Sequence, residues 1–198
     1  HHLKRAQNGW LNQQVIDRSG LYQPILEHRI HCVHLTHGGR NKDRSLWKNH
    51  EWPYVSAQCS SGFGPDMFAE FVQPYNARLV SASPYNTVYY HGCERLDQKI
   101  EHIQYLPHLL RQHVSPWSSV AKAVEILQGK VIMEVHSNPS KVFFSGEQNE
   151  IEANLRELVA EGKGMPMDLN LSDIHSFNNK PALMTYWAQI AQAIVSGS

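Results

Sequence analysis

From residue 54 onward the chain alternates short apolar runs with longer amphipathic stretches, and that beat restricts the fold more than any other feature. The runs are 54–59 (YVSAQC), 86–91 (NTVYYH), 109–115 (LLRQHVS), 130–136 (KVIMEVH) and 166–171 (PMDLNL). Each has the length of a buried or half-buried strand and is too short to make a packed helix. The stretches between them carry the helical period. In 66–81, Met67, Phe68, Phe71, Val72, Tyr75 and Leu79 share one face, with Pro65 at the first turn and Pro74 as a kink. Ser118 or Ser119 caps a helix carrying Val120, Ala123, Val124 and Leu127, which Gly129 ends. Ile151, Leu155, Leu158 and Val159 line the next helix, stopped near Gly162. The last starts at Pro181 and carries Leu183, Met184, Trp187, Ile190 and Ile194. A shorter helix is expected in 95–105, with Leu96, Ile100 and Ile103 inward.

Strand and helix repeated this often predict parallel βαβ units and an α/β fold. A doubly wound sheet and a TIM-type (β/α) barrel both satisfy the pattern. No Gly-rich phosphate loop follows any of the strands, which leaves dinucleotide binding without positive support and favours the barrel. With 198 residues, 41% of them hydrophobic, the chain can bury one core, so residues 1–198 are read as a single domain. A complete eight-stranded barrel takes about 250 residues. A sixth candidate strand at 30–36 (IHCVHLT) brings the set to six, so the barrel is expected to be incomplete, a carboxy-terminal portion without its amino-terminal strands. Residues 37–53 read as a polar loop, and His1 and His2 as the remnant of a purification tag.

Charge excludes several partners. Eighteen lysines and arginines balance eighteen aspartates and glutamates, so neither a nucleic-acid footprint nor a membrane-surface patch is expected. No apolar run spans a bilayer, and the polar start (HHLKRAQNGW) lacks a signal-peptide pattern. Three cysteines at unrelated spacings make no disulfide framework, which points to a cytoplasmic setting.

Barrel chemistry gathers at the carboxy-terminal ends of the strands. Those ends carry His34 and His37, Gln58 and Cys59, His91 and Cys93, then His113, Ser115 and Trp117, then Glu134, His136 and Asn138, and finally Asp168, Asn170 and Asp173. His91 and Cys93 have the sharpest geometry. Residues i and i+2 of an extended chain point to the same side, so an imidazole nitrogen and a thiolate can converge on one ion, and zinc favours such mixed sets. Cys59 could add a second thiolate. Glu134 and His136 repeat the spacing and read either as an acid/base pair or as an ordinary hydrogen-bonded pair. Ser115-Pro116-Trp117 reads as structural, with Pro116 ending the strand and Trp117 over the rim, and Cys32 as a small buried residue.

Three segments, YVSAQCSSGFGPDMFAEFVQPYNARL, the stretch from YYHGCERLDQ to EVHSNPS, and MDLNLSDIHSFNNKPALMTYWAQIA, together resemble the uroporphyrinogen decarboxylase superfamily. More narrowly, they are similar to its branch related to cobalamin-dependent methyltransferases. The resemblance runs over residues 22–193. It is carried by Ala57-Gln58, by Gly64-Pro65-Asp66-Met67-Phe68, by His91-Gly92-Cys93, by Ser115-Pro116-Trp117 and by Ser137-Asn138-Pro139. The resemblance implies a (β/α) barrel and, for the methyltransferase members, a zinc ion on an H-x-C pair and a later cysteine. His91 and Cys93 match the first two ligands. No cysteine follows Cys93, so Asp168, Glu134 or Cys59 is left to complete the set. Zinc in that family lowers the pKa of a thiol acceptor, whose thiolate attacks a methyl group carried by a corrinoid on a partner protein. The arginine-rich segment by which decarboxylase members hold porphyrinogen has no counterpart here.

The leading expectation is therefore a metal-assisted methyltransferase. His91, Cys93 and Asp168 are its candidate ligands, Glu134 or His136 its proton-handling groups, and Gln58, Trp117 and Asn138 its substrate contacts. One alternative is a metal-free lyase or decarboxylase acting on a carboxylated small molecule, although the strand ends offer almost no arginine or lysine. Another is a non-catalytic binding protein or truncated barrel, which a second copy would cover along its open edge.

Overall fold

The computed structural model describes residues 30–35, 54–56, 60–82, 87–171 and 174–196. Six strands form one sheet: β1 (Ile30–Leu35), β2 (Tyr54–Ser56), β3 (Val88–His91), β4 (Leu109–Val114), β5 (Ile132–His136) and β6 (Met167–Leu171). All pairings are parallel. The order across the sheet is β1-β6-β5-β4-β3-β2. Successive strands from β2 to β6 are neighbours, and β1 lies beside the last of them. A doubly wound sheet reverses its strand order at a switch point. Here the order runs one way and is a cyclic permutation of the chain order, which is compatible with a partial barrel. Among the described residues the outermost strands are β1 and β2.

Helices alternate with the strands as the periodicity predicts. After β2 come α1 (Pro65–Phe71) and α2 (Gln73–Ser81), then α3 (Ile100–Ile103), α4 (Val120–Leu127), α5 (Gln148–Glu161) and α6 (Ala182–Ser196). Local chemistry sets their ends. Ser119 caps α4, its Oγ accepting from Lys122 N, and the chain leaves through Gln128 and Gly129, both at positive φ. Glu147 and Glu150 form a capping box at the start of α5, and Gly162 closes its far end. Among the described residues no helix is long and apolar enough to cross a membrane.

Two expectations change. The single kinked helix over 66–81 is two helices, interrupted at Val72, with Pro74 in the first turn of the second. The face read as inward is also displaced. Met67, Phe71, Tyr75 and Leu79 are exposed, whereas Phe68, Asn76 and Val80 are buried. The pattern also gave no sign of a π-helical turn after β5, Lys141–Ser145, which buries Phe143 edge-on against Phe177 at 5.4 Å.

The sheet has two chemically different faces. Val88 and Tyr90 of β3, Val114 of β4, Met133 and Val135 of β5, and Met167, Leu169 and Leu171 of β6 belong to one hydrophobic core. Phe68, Leu127, Leu155 and Trp187 of the helices pack into that core, and each fully buried side chain of this size contributes roughly 1.5–3 kcal/mol. The alternate positions of the same strands are Tyr89 and His91, Arg111 and His113, Glu134 and His136, Asp168 and Asn170. Side chains alternate along a strand, so these eight polar groups fall on the opposite face.

Candidate metal centre

His91 and Cys93 are brought together as their spacing predicts. His91 Nε2 lies 3.0 Å from Cys93 Sγ, and Cys93 is a thiol outside any disulfide. Gly92 lets the chain pass between them in close quarters, since a Cβ there would lie 3.0 Å from Leu96 and 3.1 Å from Glu94. The loop that follows is pinned by the next strand's end. Ser115 Oγ donates to the Glu94 carbonyl, Ser118 Oγ accepts from Leu96 N, and Ser119 N donates to Asp97. Lys99 reaches back to the Ser60 carbonyl and to Glu94. Ser115 thus ties the end of β4 to this loop, β4 ends at Val114, two residues before Pro116, and Trp117 is 61% exposed.

His113 completes the cluster. Its ligand atom and those of His91 and Cys93 all lie within 4.8 Å of one another, so these three residues could hold a metal ion. His113 Nδ1 accepts from Gly92 N at 3.3 Å, and its buried Nε2 has no hydrogen-bond partner among the described residues. Its ring stacks on that of His91, with centroids 4.2 Å apart and planes 12° from parallel. Burial, reinforced by the charges of His136 and His91, holds the His113 pKa well below its ordinary value.

Beneath the cluster sits a charged network that the strand register assembles. His113 is paired with Glu134, Glu134 with Asp168, and His136 with Asn170 across adjacent strands. Glu134 Oε1 accepts from the Tyr89 hydroxyl at 2.7 Å, lies 2.8 Å from His136 Nε2, and is 3.5 Å from Asn170 Nδ2. Glu134 Oε2 accepts from Arg111 Nε and is 2.7 Å from Arg111 Nη2. The same Nη2 also pairs with Asp168. Burial works to raise the Glu134 pKa, but the Arg111 charge and the His136 hydrogen bond outweigh it and hold the carboxyl well below its usual range. Glu134 is therefore an ionised, acceptor-only group.

The residues singled out in the sequence divide into four sets. His91 and Cys93 lie in the cluster that could hold a metal. Asp168 is outside that cluster and engaged by Arg111, and Glu134 and His136 are bonded to each other. Asn138 is half-buried and accepts from Ser140 N through its side-chain oxygen. Gln58, Cys59, His37 and Asp173 lie outside the described residues, as do the side chains of Cys32 and His34. Tyr89 and Arg111 were not singled out, and Arg111 lies within β4 rather than at a strand end. A signal for both existed: Tyr-x-His, Arg-x-His, Glu-x-His and Asp-x-Asn place a polar pair at i, i+2 on four successive strands.

The donor set suits zinc in kind, with two imidazoles and one thiolate leaving a fourth position open. A tetrahedral N–Zn–S pair spans about 3.5 Å. His91 and Cys93 at 3.0 Å therefore need to open only slightly. His113 must move more, because two nearly parallel stacked rings cannot both aim an in-plane lone pair at one ion.

The fold and the cluster together define an α/β protein with an all-parallel sheet and a His–Cys–His site capable of holding a metal. No protein-family model matches the chain, and no curated protein matches it.

Proposed function

We propose that the chain is a (β/α)-barrel enzyme that uses zinc at His91, Cys93 and His113 to transfer a methyl group to or from a small molecule or thiol. The observation that carries this reading is the convergence of the three donor atoms within 4.8 Å at the ends of adjacent strands. Zinc bound there would supply the charge that turns a thiol acceptor into a thiolate at neutral pH. The chain's own groups do the rest. His91 and Cys93 provide the first ligands, and His113, rather than Asp168, is the third donor by proximity. Glu134 holds His136 beside the site as a group that can take or return a proton. The uroporphyrinogen decarboxylase superfamily, the corrinoid carrier on a partner protein and a cytoplasmic setting rest on the sequence alone. The cyclic strand order supports the barrel, and the edges at β1 and β2 are where a second copy would sit.

The metal-free lyase acting on carboxylated substrates is less well supported. It needs a cation to receive the carboxylate, and Arg111 already gives Nε and Nη2 to Glu134 and Asp168.

Elemental analysis of tag-free protein purified without chelators tests the proposal. Near-stoichiometric zinc in the wild type, lost in His91→Ala and in Cys93→Ser, is the expected result. A metal-free wild type would overturn it.

A further inference from the structure

We infer that Tyr89, backed by Glu134, is a positioning residue that locks His91 in the tautomer with its proton on Nδ1, presenting a bare Nε2 to Cys93 and to whatever ion sits there. The inference deepens the metal reading and rests on it for its consequence, although the tautomer itself does not depend on any metal.

The direction of the hydrogen bonds fixes the argument. Arg111 donates twice to Glu134 Oε2 and pairs with Asp168, so Glu134 remains a carboxylate and can only accept. The Tyr89 hydroxyl has one proton, and it goes to Glu134 Oε1 at 2.7 Å. The hydroxyl oxygen is also 3.0 Å from His91 Nδ1, and with its proton already placed it can only accept there. His91 Nδ1 must therefore carry the hydrogen. A neutral imidazole protonated on Nδ1 has its lone pair on Nε2, the atom 3.0 Å from Cys93 Sγ. Tyr89 and His91 are i and i+2 on β3, so the strand delivers both side chains to the same face with no loop between them. Glu134 comes from β5, two strands away, and Arg111 from the strand between. Metal-ligating histidines usually give their other ring N–H to an outer acceptor, here the Tyr89 hydroxyl backed by Glu134, and loss of such an acceptor weakens metal binding by about 10–100-fold.

The test uses the full chain labelled with nitrogen-15. In the metal-free wild type, long-range proton–nitrogen correlation of the His91 ring, assigned by its disappearance in His91→Gln, should show a protonated Nδ1 and a bare Nε2. In Tyr89→Phe that preference should be lost. Cobalt(II), titrated into both proteins and followed by its thiolate charge-transfer absorption, should bind about 10–100-fold more weakly to the variant. A purely structural role for Tyr89 would lower the unfolding midpoint of the metal-free variant while leaving the His91 tautomer and the cobalt affinity unchanged. A wild-type His91 protonated on Nε2 overturns the inference, whether or not Tyr89→Phe folds. Cobalt affinity in Tyr89→Phe within twofold of wild type overturns it as well. If the wild type binds no cobalt yet His91 carries its proton on Nδ1, the tautomer assignment is upheld and the metal reading alone fails.

Discussion

Replacing Arg111 with methionine should expose the energetics of the polar face. Methionine keeps much of the apolar stem but removes the guanidinium that faces Glu134 and Asp168, whose side chains are 11% and 2% exposed. Two buried carboxylates would then share one site without a cation. Their least costly escape at pH 7 is for one to take up a proton. Starting from an ordinary glutamate pKa of about 4.3, that protonation costs about 1.36 kcal/mol per pH unit, or close to 4 kcal/mol at pH 7. The figure agrees with the 3–5 kcal/mol generally found when one partner of a buried pair is removed. At pH 5 the same escape costs only about 1 kcal/mol. In the wild type the sign is opposite. Glu134 is held below its unfolded value, so its contribution is present above about pH 4.3 and is lost as pH falls through the folded value. Urea unfolding of both proteins at pH 7 and pH 5 should thus show a deficit of about 4 kcal/mol shrinking to about 1. Adding Glu134→Gln and Asp168→Asn to the Arg111→Met background should recover most of the loss at pH 7. A deficit below about 1 kcal/mol at pH 7, or one equal at the two pH values, would refute the picture of a network sealed from water.

Other perturbations follow from the packing. At Gly146 a Cβ would be driven against the backbone carbonyls of Lys141 and Val142, the latter at 2.6 Å. Backbone cannot yield as a side chain would, so Gly146→Ala should lower stability by about 1–3 kcal/mol in urea titration. Trp187 is fully buried, with Nε1 donating to Ser137 Oγ at 3.2 Å, and Trp187→Ala should cost about 3–5 kcal/mol. Trp117→Ala, at an exposed position, should stay within about 0.5 kcal/mol. His113, whose pKa is lowered first by burial and then by its histidine neighbours, takes up its proton more readily unfolded than folded. Stability should therefore decline as pH drops below about 6.5, and His113→Gln should flatten that slope in unfolding midpoints measured between about pH 6.5 and 5.

The strands were legible because each is a single apolar run bounded by polar residues, and the observed elements fall within the expected runs. Alternation was legible too, and with it the pairing of His91 with Cys93 and of Glu134 with His136. The α1–α2 face was not. Residues 67, 71, 75 and 79 form one ridge and residues 68, 72, 76 and 80 the next, a single residue around the helix. The first ridge is the more apolar, yet Phe68, Asn76 and Val80 are the buried ones. Only the break at Val72 and the approach of the sheet decide between ridges. Arg111 was missed for a different reason. The Arg-x-His spacing puts Arg111 on the face of His113, but which carboxylates it meets is set by register with two other strands, and register is a property of the sheet. His113 as a third donor depends in the same way on the neighbouring strand.

The strand order also dictates a timetable. From β2 to β6, every strand finds its neighbour in the stretch of chain made just before it. The exception is β1, whose Ile30 is paired with Met167. At about 5–20 residues per second, on the order of ten seconds of synthesis separate these two strands. Over that interval β1 has no β6 to pair with, and among the described strand pairings their docking is the least local and the last to become available.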